Sequence, residues 1–285
     1  MNLCFFTMAN KKRIDWAHKL ILSGAAVNRP IYFYRIPESH PDPKRFKTEL
    51  LINDNLPEAD KYVYLDSDIF MLQHGDWESD EAIGAVSEAR FRIAAKHYFA
   101  KGDSKGYSSY IELIKQNNNP IRVNTGLIAI PSNIRKQVGE RWQYWCNYVE
   151  SFCDKPMKMR DQPQFPFVME ELKIPVLPGR FCAIVKREMV TSEHIALHAS
   201  GHPSGGSLKQ YTDAVSQVLG DFESNNYYTI TKQIMINSKN PTHPIGVIEN
   251  DELRTKLLLT FPGLVLDTTN ADFIIDVSGT YKPIQ

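Results

Sequence analysis

The sequence predicts an α/β fold, a mostly parallel mixed sheet flanked by helices, with a small C-terminal α/β appendage. Short apolar runs alternate along the chain with stretches of helical periodicity, the pattern of strands joined by covering helices. The run Lys61-Tyr62-Val63-Tyr64-Leu65 is apolar and aromatic without alternation, as expected of a strand buried on both faces. With 285 residues, 42% hydrophobic and 11% aromatic, the chain has material for a substantial core.

The first strand is expected over 3–8. A polar turn, Asn10-Lys11-Lys12-Arg13, then leads into a helix over 14–23 with Trp16 and Leu20 on its inner side. Pro30 and Pro37 bound the next strand, and a helix over 43–52 ends before Asn53-Asp54-Asn55. After the strand at 61–65 come a strand over 82–86 and a partly helical aromatic stretch over 91–116. A strand over 122–130 follows, and a helix over 134–152 is capped from Pro131-Ser132-Asn133. Beyond Gly220 the polar break Asp221-Phe222-Glu223-Ser224-Asn225-Asn226 opens a region of short strands with one helix over 251–259. The expected division is therefore 1–220 and 221–285. The second part is small for independent folding, so it should pack on the first or mediate oligomerisation.

Lys plus Arg (33) equals Asp plus Glu (33), so no global field draws the chain to nucleic acid or to an anionic membrane. No apolar run reaches membrane-spanning length, and a cytoplasmic protein without a transmembrane segment is predicted. Cys4, Cys146, Cys153 and Cys182 have neither zinc-site spacing nor disulfide-scaffold density, and read as reduced core residues.

The chemistry is concentrated in Asp66-Ser67-Asp68, which follows the strand at 61–65 and precedes a second apolar run, Ile69-Phe70-Met71-Leu72. Ligands of open parallel sheets sit at the carboxyl ends of strands. Aspartates at i and i+2 of an extended chain project to one side, where they can share a hard cation such as Mg²⁺ or Mn²⁺. Such an ion would also take diphosphate oxygens and act as Lewis acid and template when a sugar–phosphate bond breaks. A solvated turn is the plain alternative. A turn with two carboxylates between two buried runs, however, calls for a counter-ion.

Three further segments follow: Asn124-Thr125-Gly126-Leu127-Ile128-Ala129-Ile130, Asp161-Gln162 and His198-Ala199-Ser200-Gly201. With Tyr64-Leu65-Asp66-Ser67-Asp68-Ile69, this series resembles that of the GT-A-fold glycosyltransferases, in particular the retaining family of glycogenin and the bacterial lipopolysaccharide galactosyltransferases. The resemblance implies a Rossmann-like nucleotide-sugar-binding fold and transfer of a sugar from a nucleotide-sugar donor, UDP-linked, to a glycan or other hydroxyl acceptor. It implies that Asp66, Asp68 and His198 ligate Mn²⁺ or Mg²⁺, that Ser67 lies near the donor ribose, and that Gly201 lets backbone approach the diphosphate. By the same resemblance Thr7, Met8 and Ala9 line the base and ribose pocket, and Lys44 or Lys47 reaches donor phosphate.

Asn124, Asp161 and Gln162 would approach the sugar and acceptor, with Gln162 near the anomeric carbon. Were the reaction inverting, Asp161 would be the natural base. Their plain readings are a turn support for Asn124 and a helix cap for Asp161. The chain departs from the family at Ser204, where a lysine is usual, so His202 or Lys209 would supply that phosphate contact, or the diphosphate would be held less tightly. Tyr98, Phe99, Tyr107 and Tyr110 read either as core or as stacking faces for acceptor sugars. Two rival functions share the Asp-x-Asp signature. One is a haloacid-dehalogenase-like phosphatase, whose motif normally lies nearer the N-terminus, and the other a non-catalytic sugar-nucleotide-binding protein.

Overall fold

The computed structural model describes residues 1–87, 98–117, 120–185, 188–200, 206–220 and 225–284. The first half of the chain contains β1 (Leu3–Ala9), α1 (Ile14–Ala26), β2 (Ile31–Arg35), α2 (Phe46–Ile52), β3 (Lys61–Asp66), β4 (Ile69–Met71), β5 (Gly84–Ser87), α3 (Ser104–Gln116) and β6 (Val123–Pro131). Next come α4 (Arg135–Glu150), α5 (Phe165–Leu172), β7 (Val176–Leu177), β8 (Ala183–Ile184), β9 (Ala196–His198) and α6 (Gly206–Leu219). The chain closes with α7 (Asn226–Asn237), β10 (Ile245–Ile248), α8 (Asp251–Thr260), β11 (Val265–Leu266), β12 (Phe273–Ile275) and β13 (Tyr281–Pro283). The fold is α/β, with mixed, mostly parallel sheets flanked by helices.

Contacts divide the chain into two compact units, each assembled from separate segments. Unit 1 comprises Met1–Cys4, His40–Val63 and Asp76–Gly179, and unit 2 comprises Phe5–Ser39, Tyr64–Gly75 and Arg180–Gln285.

In unit 1 the strand order is β3-β6-β5-β7, with β5 antiparallel to β6 and parallel to β7. Against this sheet belong α2 and α4, which cross closely at Gly139, where a Cβ would come within 2.9 Å of the Thr48 carbonyl oxygen. A second core gathers around α3, with Tyr98, Phe99, Tyr110, Leu113, Ile114, Val149, Met157 and Phe167 all buried. Asp103 starts α3 by accepting from the Gly106 N–H at 2.9 Å. Of the four aromatics considered for sugar stacking, Tyr98, Phe99 and Tyr110 are thus core side chains. Tyr107 is half-buried and lines a cavity of about 710 Å³.

In unit 2 the order is β2-β1-β3, and β1 runs parallel to β2 with Thr7 opposite Phe33 and Ala9 opposite Arg35. A three-stranded sheet, β4-β9-β8, adjoins α1, whose Ser23 hydroxyl accepts the Met71 N–H at 3.0 Å. The C-terminal residues form a four-stranded sheet, β11-β10-β12-β13, with α7 and α8. Within unit 2 they pack on α1 and β2. The Thr242 hydroxyl donates to the Phe33 carbonyl at 2.7 Å, and the Arg35 guanidinium donates to the carbonyls of Met235 and Ile236. The region expected as an appendage therefore shares a unit with the first strand and helix.

Helix α7 lies where the sequence suggested only strands. Its residues Tyr227, Tyr228, Thr229, Ile230, Thr231 and Ile234 favour strands on propensity, but Asn225 caps it by accepting from Tyr227 N, and Ile230 and Ile234 are buried.

The α1–α7 contact carries a pH-dependent term. His18 is fully buried, its Nε2 is 2.8 Å from Thr231 Oγ1, and its ring packs on Tyr228 at 4.5 Å between centroids. Burial, aided by the nearby Lys232 charge, pushes its pKa down from 6.5 to about 3. Below pH ~6.5 the unfolded chain binds a proton that the native one refuses, so this contribution is present above that pH and is lost as pH falls towards about 3. Urea unfolding from about pH 7 to 4.5 should show stability declining by up to ~1.4 kcal/mol per unit from this group. The His18→Phe variant should lack that component, and equal slopes for both proteins would disprove the assignment.

Candidate metal centre

Two pairings in unit 2 build the centre. β3 ends at Asp66, and the turn Ser67-Asp68 leads into β4, which runs antiparallel to β9 with Ile69 opposite His198. That register places the Ala199 N–H on the Asp68 carbonyl at 2.9 Å and His198 Nε2 3.1 Å from Asp68 Oδ1. β9 is held on its other side by β8, where Ile184 lies opposite His198 and the Val185 N–H donates to the His198 carbonyl at 3.1 Å. Asp66 is oriented from within its own strand, because the Tyr64 hydroxyl donates to Asp66 Oδ1 at 2.5 Å. The Tyr64 ring is in turn packed on Phe6, 5.4 Å between centroids.

One ligand atom from each of Asp66, Asp68 and His198 lies within 4.8 Å of the others. A divalent ion with ligands at its usual distances spans about 4–5 Å between opposite donors, so the three could hold one ion, with positions left for other ligands. Two carboxylate oxygens and one imidazole nitrogen suit a divalent cation of intermediate hardness. His198 is buried while both aspartates and Ser67 are partly exposed, so the centre has a protein side and an open side. Burial alone would raise the Asp68 carboxyl. The hydrogen bond and charge of His198, with the charge of Arg13, outweigh it and hold the group below the usual carboxylate range.

Thr7, Met8 and Ala9, expected to face the base and ribose, close β1 in the same unit and are buried. The Thr7 hydroxyl is buried without a hydrogen-bond partner among the described residues. Gly201 and His202, expected at the diphosphate, and Ser204 lie outside the described residues, while Lys209 is exposed on α6.

The remaining expected residues form a cluster in unit 1. Lys47 is only 2% exposed, and its Nζ lies 2.6 Å from Asp161 Oδ2 and 5.2 Å from the centroid of the Trp142 ring. Thr125 Oγ1 donates to the same carboxylate at 3.3 Å, and Trp142 Nε1 donates to the Asp161 carbonyl at 2.8 Å. Lys47, expected on donor phosphate, is thus ion-paired to the residue expected as a base. Lys44 donates to the Lys158 carbonyl. Asp161 stands at the head of the short 3-10 helix Gln162–Gln164 but makes no side-chain cap. Burial would raise its pKa, but the Lys47 charge and hydrogen bond hold it below the usual range. Asn124 accepts from the Gly126 N–H at 2.8 Å, stabilising an irregularity of β6 where pairing with β5 jumps from Ile128 to Asn124. Gln162 is buried beside Asp161.

Sequence reasoning missed Tyr64, which orients Asp66, and Arg13, whose charge acts on Asp68. Tyr64 was visible as part of the strand that delivers Asp66, two residues before it on the same side. Arg13 carried no signal beyond a polar turn. The four cysteines are unbridged, and among the described residues no helix is long and apolar enough to cross a membrane. No family model and no curated protein matches the chain.

Proposed function

We propose that this chain is a metal-dependent glycosyltransferase of GT-A type, taking a nucleotide-sugar donor, UDP-linked, and a glycan or other hydroxyl acceptor. The observation that carries the reading is the convergence of Asp66, Asp68 and His198 within 4.8 Å. Mn²⁺ or Mg²⁺ bound there would neutralise the leaving diphosphate as a Lewis acid. Further support comes from the placement of Asp66 at the end of β3, next in strand order to β1, which ends on Thr7, Met8 and Ala9. Nucleotides bind at such strand ends in open α/β sheets.

Calorimetry with UDP, GDP and a simple phosphate ester, with and without Mn²⁺ or Mg²⁺, tests the reading. UDP should bind in the presence of metal and lose at least ~10-fold in affinity, about 1.4 kcal/mol, when the metal is chelated. Binding indifferent to metal, or no binding of any nucleotide, would refute it.

A further inference from the structure

We infer that Arg13 is a diphosphate-binding residue of this centre, supplying from the turn after β1 the positive charge that the metal ligands do not. The inference rests on the donor reading above. Arg13 ends the 3-10 turn Lys11–Arg13, immediately before α1. The turn is fixed by Asn10, whose carbonyl accepts the Arg13 N–H at 3.0 Å and whose side chain accepts the Lys12 N–H at 3.1 Å. Arg13 is half-buried, yet its guanidinium makes no hydrogen bond or ion pair among the described residues. The turn that carries it follows the end of β1, which neighbours β3 and its terminal Asp66 in strand order, and its charge acts on the Asp68 carboxylate.

The other described arginines of unit 2 have their guanidiniums engaged. Arg29 donates to the carbonyls of His74 and Gly75, Arg35 to those of Met235 and Ile236, and Arg254 to that of Ile248, while Arg180 lies over the Phe181 ring. A partly buried cation that makes no hydrogen bond or ion pair among the described residues, and whose charge acts on a carboxylate it does not bond, has the electrostatics of a site for an anion. Charge balance identifies the anion. Two aspartates cancel the charge of a divalent ion, so a diphosphate bound to that ion keeps its own negative charge and requires another cation. A guanidinium fork matches phosphate oxygens and supplies charge without being a metal ligand.

The test compares wild type with Arg13→Gln and Arg13→Lys, using Mn²⁺ alone, UDP with Mn²⁺ and UMP with Mn²⁺. Arg13→Gln should bind Mn²⁺ as wild type does and lose roughly 10- to 100-fold in UDP affinity, the scale of a hydrogen bond to a charged group. The loss should be smaller for UMP, which lacks the second phosphate. Arg13→Lys should fall between wild type and Gln. UDP binding within about twofold of wild type in both variants, or equal losses for UDP and UMP, would overturn the assignment to the diphosphate. Failure of wild type to bind UDP with metal would instead overturn the donor reading. A poorly folded Gln variant would show in its far-UV spectrum, and the Lys variant then decides by the same criterion.

Discussion

Asp68→Asn should reduce Mn²⁺ affinity by more than ~100-fold and leave the fold intact. Removing an outer-shell partner already costs about 10- to 100-fold in metal affinity, and a carboxylate ligand contributes charge as well as an oxygen. The fold should survive because the backbone role of Asp68, accepting the Ala199 N–H at 2.9 Å, is independent of its side chain. The asparagine oxygen can also accept from His198, so the register of β4 on β9 is retained. Asp66→Asn should weaken the ion similarly. Because the Tyr64 hydroxyl orients Asp66, Tyr64→Phe should cost less than loss of a ligand, within the range for an outer-shell partner. Donor turnover should fall further than metal affinity at a fixed metal concentration. In the proposed transfer, an ion held there would supply several kcal/mol of charge stabilisation to the leaving group, and ~4 kcal/mol is about a 1000-fold rate change. Titration calorimetry with Mn²⁺, beside hydrolysis of a UDP-sugar, measures both. Asp68→Asn binding Mn²⁺ like wild type would remove the centre as described.

The metal half of this centre was legible because its parts obey local rules. An unbroken apolar run marks a buried strand, Asp-x-Asp at its end sets two carboxylates on one side, and His198 follows a short apolar run of its own. That these parts meet depends on the pairing of β4 with β9, whose residues 69 and 198 are opposite each other although remote in sequence. No spacing encodes such a register, and it was suggested only by resemblance. Arg13 was hidden for the converse reason, since Asn10-Lys11-Lys12-Arg13 has the composition of any solvated turn. The structural units were hidden too. A composition break at 221–226 is a local signal, whereas Phe5–Ser39, Tyr64–Gly75 and Arg180–Gln285 are joined by non-local packing. Helix α7 shows tertiary context overriding propensity, because the face carrying Ile230, Thr231 and Ile234 finds α1 to bury against. Lys47 was legible as a helix cation but not as an internal one. Its helix presents it to Asp161, more than a hundred residues later in the chain.

That ion pair gives the second large effect. Lys47→Met should destabilise the protein by about 3–5 kcal/mol, because it leaves the Asp161 carboxylate buried without its counter-charge. Thr125 would remain as a hydrogen-bond donor to that carboxylate, but a neutral hydroxyl cannot replace the ammonium. The pH dependence should reverse with the substitution. In wild type the Asp161 pKa is depressed, so its contribution is present above the unfolded value of about 3.9 and is lost as pH falls through the lower folded value. In Lys47→Met, burial acts with the main opposing charge gone and the folded pKa rises above the unfolded one. The variant should then become more stable, relative to wild type, as pH is lowered from about 7 to 5. Asp161→Asn in the Lys47→Met background removes the stranded charge while keeping an oxygen for Thr125, and should recover most of the loss. A double-mutant cycle by urea unfolding should give a coupling of about 2 kcal/mol or more between the two positions. Additive effects, or a Lys47→Met cost below ~1 kcal/mol, would mean that Lys47 is not held by Asp161 in solution, and would return it to the lysines available for a phosphate.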